Sequence, residues 1–159
     1  MPTTAKEKVL LGEAGEHLVL SRLMRHGHVA SQAPRAWRAD DILVEGGAKV
    51  QVKSSVKGPK AGWVVSDARP SPARVFAFVD FSGAHDEAVV YVVPSEVVHQ
   101  ACQADAEAYR RRNPTWNDNG LRKLRDPLWP DPEVHKHFPP GWLEAYKEAW
   151  HLVPDGSAS

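Results

Sequence analysis

Three side chains that could do chemistry together lie in one short stretch, Asp41-Ile42-Leu43-Val44-Glu45-Gly46-Gly47-Ala48-Lys49-Val50-Gln51-Val52-Lys53. Hydrolysing a phosphodiester needs charge neutralisation at the phosphoryl oxygens, an activated water, and a cation near the developing charge. A hard divalent ion such as Mg2+ or Mn2+ prefers oxygen ligands and keeps several waters. One or two carboxylates with a backbone carbonyl and the substrate therefore suffice. Asp41 can supply the carboxylate, Gln51 its amide oxygen, and the carbonyl of Val52 a further ligand. Lys53 can orient or deprotonate water and counter the transition-state charge. Glu16, well upstream, can enter as a water-mediated partner.

Those groups need a hairpin to carry them. Ile42-Leu43-Val44 is a short apolar strand, Gly46-Gly47 a turn that tolerates positive φ, and Lys49 to Lys53 a returning strand. Side chains in a strand repeat every two residues, so Val50 and Val52 face one way while Gln51 and Lys53 face the other. Register decides which acid joins them. A two-residue turn pairs Asp40 with Lys53 and leaves Asp41 on the wrong face. A three-residue loop with a bulge brings Asp41 level with Gln51 or Lys53. We favour Asp41, which abuts the apolar strand, with Asp40 the alternative.

Residues 5 to 26 read as a helix, with Gly27 its stop. Leu10, Leu11, Ala14 and Leu18 make one apolar face, and Val9, Leu20 and Leu23 a second, so burial on two sides is expected. Glu16 falls within the second stripe, where a buried carboxylate needs an ion pair, a metal or an edge position. Glu13, one turn earlier, competes for the role. Strands are expected at 28–33, 63–66, 74–81 and 88–93. A helix follows from Glu96 to about Arg110, with Ser95 as its N-cap. Residues 113–131 look irregular, and Trp142, Tyr146 and Trp150 at i, i+4 and i+8 suggest a short helix with an aromatic stripe. Helix, successive strands, then helices make an α/β protein with a central mixed β-sheet flanked by helices.

The 159 residues suit one domain, with a core at about 5–110 and an irregular, helical C-terminal extension at about 111–153. Net charge is zero, against a protein that coats nucleic acid by bulk charge. The charge is nonetheless uneven. Residues 20–75 hold ten Lys/Arg against four acids, and residues 76–110 one Arg against six acids. The basic excess surrounds the hairpin, where a polyanion would dock. Cys102 stands alone, so neither a disulfide framework nor a cysteine metal site is expected. No signal peptide or membrane span is legible, so no membrane partner is expected and a cytoplasmic location is the default.

Glu16, then Asp41 before an apolar run, then Gln51-Val52-Lys53-Ser54-Ser55, resembles the PD-(D/E)XK nuclease superfamily of restriction endonucleases and Holliday-junction resolvases. The motif likeness covers roughly residues 10 to 55 and extends more loosely to Pro94. It implies a restriction-endonuclease-like fold and a Mg2+- or Mn2+-dependent endonuclease, a hydrolase cutting DNA, including branched DNA, without a covalent intermediate. It implies Asp41 as the metal-binding acid, Lys53 as the catalytic lysine and Glu16 as the helical acid. Likeness to resolvases is also consistent with a homodimer. Gln51 departs from the commoner Glu or Asp and removes one negative ligand. Ala39-Asp40 stands where the proline of the family name would be. The rival expectation is a nuclease fold that has lost catalysis and binds nucleic acid or protein, for example in a phage-defence or toxin system.

Arg35, Trp37, Arg38, Lys57 and Lys60 flank the hairpin and are candidates for phosphate contact, with Trp37 stacking on a base or sugar. Solvated charge and a partly buried Trp are the plainer alternative. Arg110-Arg111-Arg112 suits a helix C-terminus. His135, His137 and His151 lack the Cys or acid spacing of a zinc site.

Overall fold

A reciprocal cap starts the first helix. The Glu7 N–H donates to the Thr4 hydroxyl at 3.1 Å, and the Thr4 N–H to the Glu7 carboxylate at 2.7 Å. The computed structural model describes residues 4–37, 40–66, 69–84 and 87–156. Helix α1 runs Ala5–Arg25 and ends at His26, with Gly27 at φ 89°. Strands β1 (Ala30–Gln32), β2 (Ile42–Val44), β3 (Lys49–Ser55), β5 (Arg74–Asp80) and β6 (Val89–Pro94) form a five-stranded sheet in the order β1-β2-β3-β5-β6. β3 and β5 run parallel and the other neighbours antiparallel, so the sheet is mixed, as expected. Helix α2 (Ser95–Arg112) covers one face and α1 the other.

Alternation along β5 builds both halves of the core. Val75, Ala77 and Val79 point into a cluster with Val19, Leu23, Ile42, Val50 and Val52 on the α1 side. Phe76 and Phe78 point into a second cluster with Trp63, Val98 and Leu124 on the α2 side.

The two-sided burial expected of α1 is not observed. Gly15, Val19 and Leu23 line its buried side, while Val9 and Leu10 are 65% and 57% exposed. The sheet meets the helix along one line, and among the described residues nothing covers its outer side. Contact is closest at Gly15, where an added Cβ would collide with the Ser54 hydroxyl. That hydroxyl is itself buried without a hydrogen-bond partner. Gly15→Ala should therefore cost about 1–3 kcal/mol in thermal or denaturant unfolding through overpacking. Ser54→Ala alone should be neutral or stabilising, since it removes an unsatisfied buried group. The double variant should recover part of the loss, and strict additivity would refute the contact.

Three further expectations are corrected. Ser95 does not cap α2. Its buried hydroxyl donates to Ser71 O and accepts from Ser71 N, both at 2.8 Å, tying down the preceding loop. The stretch expected to be irregular contains β7 (Arg122–Leu124), which pairs with β4 (Trp63–Val65) as a separate two-stranded sheet. Helix α3 (Pro132–His137), capped by Asp131, follows it. The aromatic helix is absent too. Two 3-10 turns, Trp142–Tyr146 and Trp150–Leu152, carry the chain around the outer edge of β6. Trp142 and Tyr146 pack in the α2-side cluster and Trp150 in the α1-side cluster. Between them Lys147 bridges to Tyr91 and the Glu148 N–H donates to Val90 O at 2.7 Å. The Glu148 carboxylate accepts from Val90 N at 2.6 Å and from Arg22 at 2.7 Å. The i, i+4, i+8 spacing thus serves two faces of a sheet, and the passage satisfies its exposed edge.

Candidate active site

The hairpin register decides between the two aspartates. Val44 N donates to Ala48 O at 2.9 Å, leaving a loop of Glu45, Gly46 and Gly47, with both glycines at φ near 100°. Few side chains tolerate that conformation. Ile42 pairs with Val50 and Leu43 with Lys49, and the Asp41 N–H bonds the carbonyl of that same Val50. This is the shifted register of a three-residue loop. The backbone of Asp41 is pinned from both sides: its N–H donates to Val50 O, and its carbonyl accepts from Ala33 N, each at 2.9 Å. Its Oδ2 accepts from Val52 N at 2.7 Å. Asp40 is used otherwise. It is 6% exposed and accepts from Arg74 Nε at 3.0 Å, a buried ion pair that ties the start of the hairpin to β5.

Glu16 comes in from α1 and is hydrogen-bonded to the Asp41 carboxyl. A bond between two carboxyl groups requires one of them to carry the proton. Burial, with the Asp41 and Glu13 charges beside it, pushes Glu16 up to about 7. Glu13, Glu16, Asp40 and Asp41 line a hollow of about 360 Å³, with Arg35 and Trp37 at its rim.

The sign of the resulting pH dependence follows from linkage. The folded Glu16 holds its proton to about 7, whereas its ordinary value is 4.5, so in that window the folded state binds more protons than the unfolded. This contribution is present in full below the ordinary carboxylate range and is lost as pH rises through about 7. Melting temperature should fall between pH 5 and pH 8, and Glu16→Gln should flatten that slope. An unchanged slope in the variant would show that Glu16 does not carry it.

Gln51 is buried, and among the described residues its amide has no hydrogen-bond partner. Lys53, two residues further along the same face of β3, lines an adjoining hollow of about 530 Å³ with Lys8, Gly12, Val52 and Lys57. The four residues expected to converge therefore divide. Glu16 and Asp41 meet in one hollow, Gln51 is not among the residues that line it, and Lys53 opens into the neighbouring hollow. Among the described residues no acid pairs with Lys53. Lys60 is exposed beyond both hollows, and Arg38 lies outside the described residues. Sequence reasoning passed over Lys8, which sits a helical turn before Gly12 on the strip of α1 that meets β3. It also passed over Arg74, which takes Asp40 out of contention.

Among the described residues no three His, Cys, Asp or Glu side chains are grouped as a closed metal cage. Two adjacent carboxylates nevertheless suit a hard cation that keeps most of its own waters. The proton held by Glu16 marks negative charge that such a cation would neutralise.

No family model and no curated protein matches the chain. Among solved structures it is similar to a bacterial homing endonuclease, I-Ssp6803I, with a TM-score of 0.52 and 20% identity. The match covers 99% of this chain and 96% of the other. The likeness is one of fold, and it includes the C-terminal extension. No helix among the described residues is long and apolar enough to cross a membrane.

Proposed function

We propose that this protein is a divalent-metal-dependent endonuclease of PD-(D/E)XK type that hydrolyses DNA phosphodiester bonds in the cytoplasm, acting as a homodimer. One observation carries the reading: Glu16 from α1 and Asp41 from β2's leading edge come together in one hollow, in a fold similar along its whole length to that of a homing endonuclease. Asp41 and Glu16 would hold Mg2+ or Mn2+, with the Gln51 amide oxygen and the Val52 carbonyl completing the protein's share. The ion would supply charge neutralisation and an acidified water. Asp41 is oriented for this by the Val52 N–H and by backbone bonds on both sides. Lys53, with no acid paired to it among the described residues, would sit against the substrate phosphate and offset its developing charge. Trp37, Arg35 and Lys57 would hold the flanking strand.

A second reading, a nuclease fold that binds without cutting, is favoured by two specifics. Gln51 replaces an acid, and Lys53 faces the adjoining hollow. Supercoiled plasmid and branched DNA incubated with Mg2+ or Mn2+ separate the two. Cleavage by the wild type that is lost in Lys53→Ala and Asp41→Ala supports the enzyme. Equal cleavage by all three, or none by any, refutes it for those substrates.

A further inference from the structure

Trp37 is 49% exposed at the rim of the acidic hollow, an unusual position for so large an apolar ring. Its placement is not that of a frayed side chain. Its N–H closes a turn onto Pro34 O at 2.9 Å, and the Lys49 ammonium lies over one face of the indole, 5.8 Å from the ring centroid. A cation there is attracted by the ring's negative face and fixes its orientation. One face is thus occupied; among the described residues no ring or cation meets the other, and the indole lines the same hollow as Glu16 and Asp41.

On the other side of those carboxylates lies a different kind of surface. Lys8, Lys53 and Lys57 line the adjoining hollow, and among the described residues none of the three has an acidic partner. The two hollows follow one another along α1. Lys8 precedes Glu16 by eight residues, about 12 Å of helix. Three free amines suit consecutive phosphates, and the open indole face suits a nucleobase. The carboxylates lie between them.

A base within a regular duplex has neighbours stacked on both of its faces and cannot also cover an indole. An open aromatic face is therefore available only to a base that has left the stack, or that was never in one. We propose that the site takes DNA with an unpaired nucleotide beside the scissile phosphate, as at a flap, bulge or branch. Trp37 stacks on that base, and Lys8, Lys53 and Lys57 track the backbone on the far side. This rests on the endonuclease reading and narrows its substrate.

The test uses the full chain, fluorescently labelled DNA and no divalent metal, so that binding is read without cleavage. A uniform duplex is compared with duplexes of equal length carrying a short flap or a single unpaired nucleotide, and 2-aminopurine marks the unpaired position. Wild type should prefer the unpaired forms about ten-fold or more, the scale of one base–aromatic stack. It should also quench the 2-aminopurine. Trp37→Ala should bind both forms alike and leave the probe bright, while Trp37→Phe should keep most of the preference. Preference retained by Trp37→Ala, or a probe that stays bright with the wild type, overturns the proposal. If the wild type then still cuts plain duplex with Mg2+, the endonuclease reading survives alone. If no DNA is bound or cut, both fall.

Discussion

Asp41→Asn is expected to lower DNA cleavage by about three orders of magnitude while leaving the protein at least as stable. The loss follows from removing the one carboxylate of the hollow that a β3 backbone N–H holds in place. Charge placed where it develops in the transition state is commonly worth 10²–10³ or more in rate. The stability follows from what Asn keeps. Its side-chain oxygen can still accept from Val52 N, and the negative charge that pushes Glu16 up is gone. Single-turnover cleavage with Mg2+, beside melts at pH 8, reads both effects. Asp40→Asn should show the opposite pattern. It leaves Arg74 buried without its counter-charge, a change that costs about 3–5 kcal/mol in comparable buried pairs. Its effect on cleavage should follow only from the loss of folded protein. If Asp40→Asn abolishes cleavage in a folded protein and Asp41→Asn does not, the two acids have been assigned the wrong way round.

Trp150→Ala is expected to cost about 3–5 kcal/mol, a large share of the roughly 5–15 kcal/mol that keeps an ordinary domain folded. Trp150 is 2% exposed and belongs to the same cluster as Val19, Val50 and Val52. Its ring stacks on His26 at 5.8 Å, and its Nε1 donates to the Glu148 carboxylate at 3.1 Å. Truncation removes the packing and strands that carboxylate's second oxygen. Urea unfolding followed by circular dichroism measures the loss. A cost below about 1 kcal/mol would mean that the C-terminal extension is an appendage. The geometry makes it part of the core, because the residues that close the β6 edge also supply the largest side chain beneath the sheet.

The hairpin was legible because its signals are local. Two glycines in sequence mark a turn needing positive φ, and Val50 and Val52 alternate with Gln51 and Lys53 over a span where every neighbour is a few residues away. The strand Val75 to Asp80 was legible for the same reason, although nothing in its pattern told which face would meet α1. Helix α1 was legible as a helix, but its buried side was not. Val9 and Leu10 satisfy the apolar periodicity and are exposed all the same, because periodicity describes a helix's own surface and not the width of what packs against it.

The candidate site divides along that line. Sequence by itself determined that an acid, an amide and an amine would share one hairpin, and that a glutamate would stand on a helix upstream. Tertiary structure decided which aspartate is free, because Asp40 is claimed by Arg74, thirty-four residues away along the chain. It decided that Glu16 reaches Asp41, through a helix–sheet approach that Gly15 permits. It also decided that Lys53 opens into a second hollow with Lys8, and that β4 leaves the main sheet for β7. Each of these depends on groups distant in sequence brought to contact. Their cost and gain are set by burial, register and pairing partners that no local pattern contains.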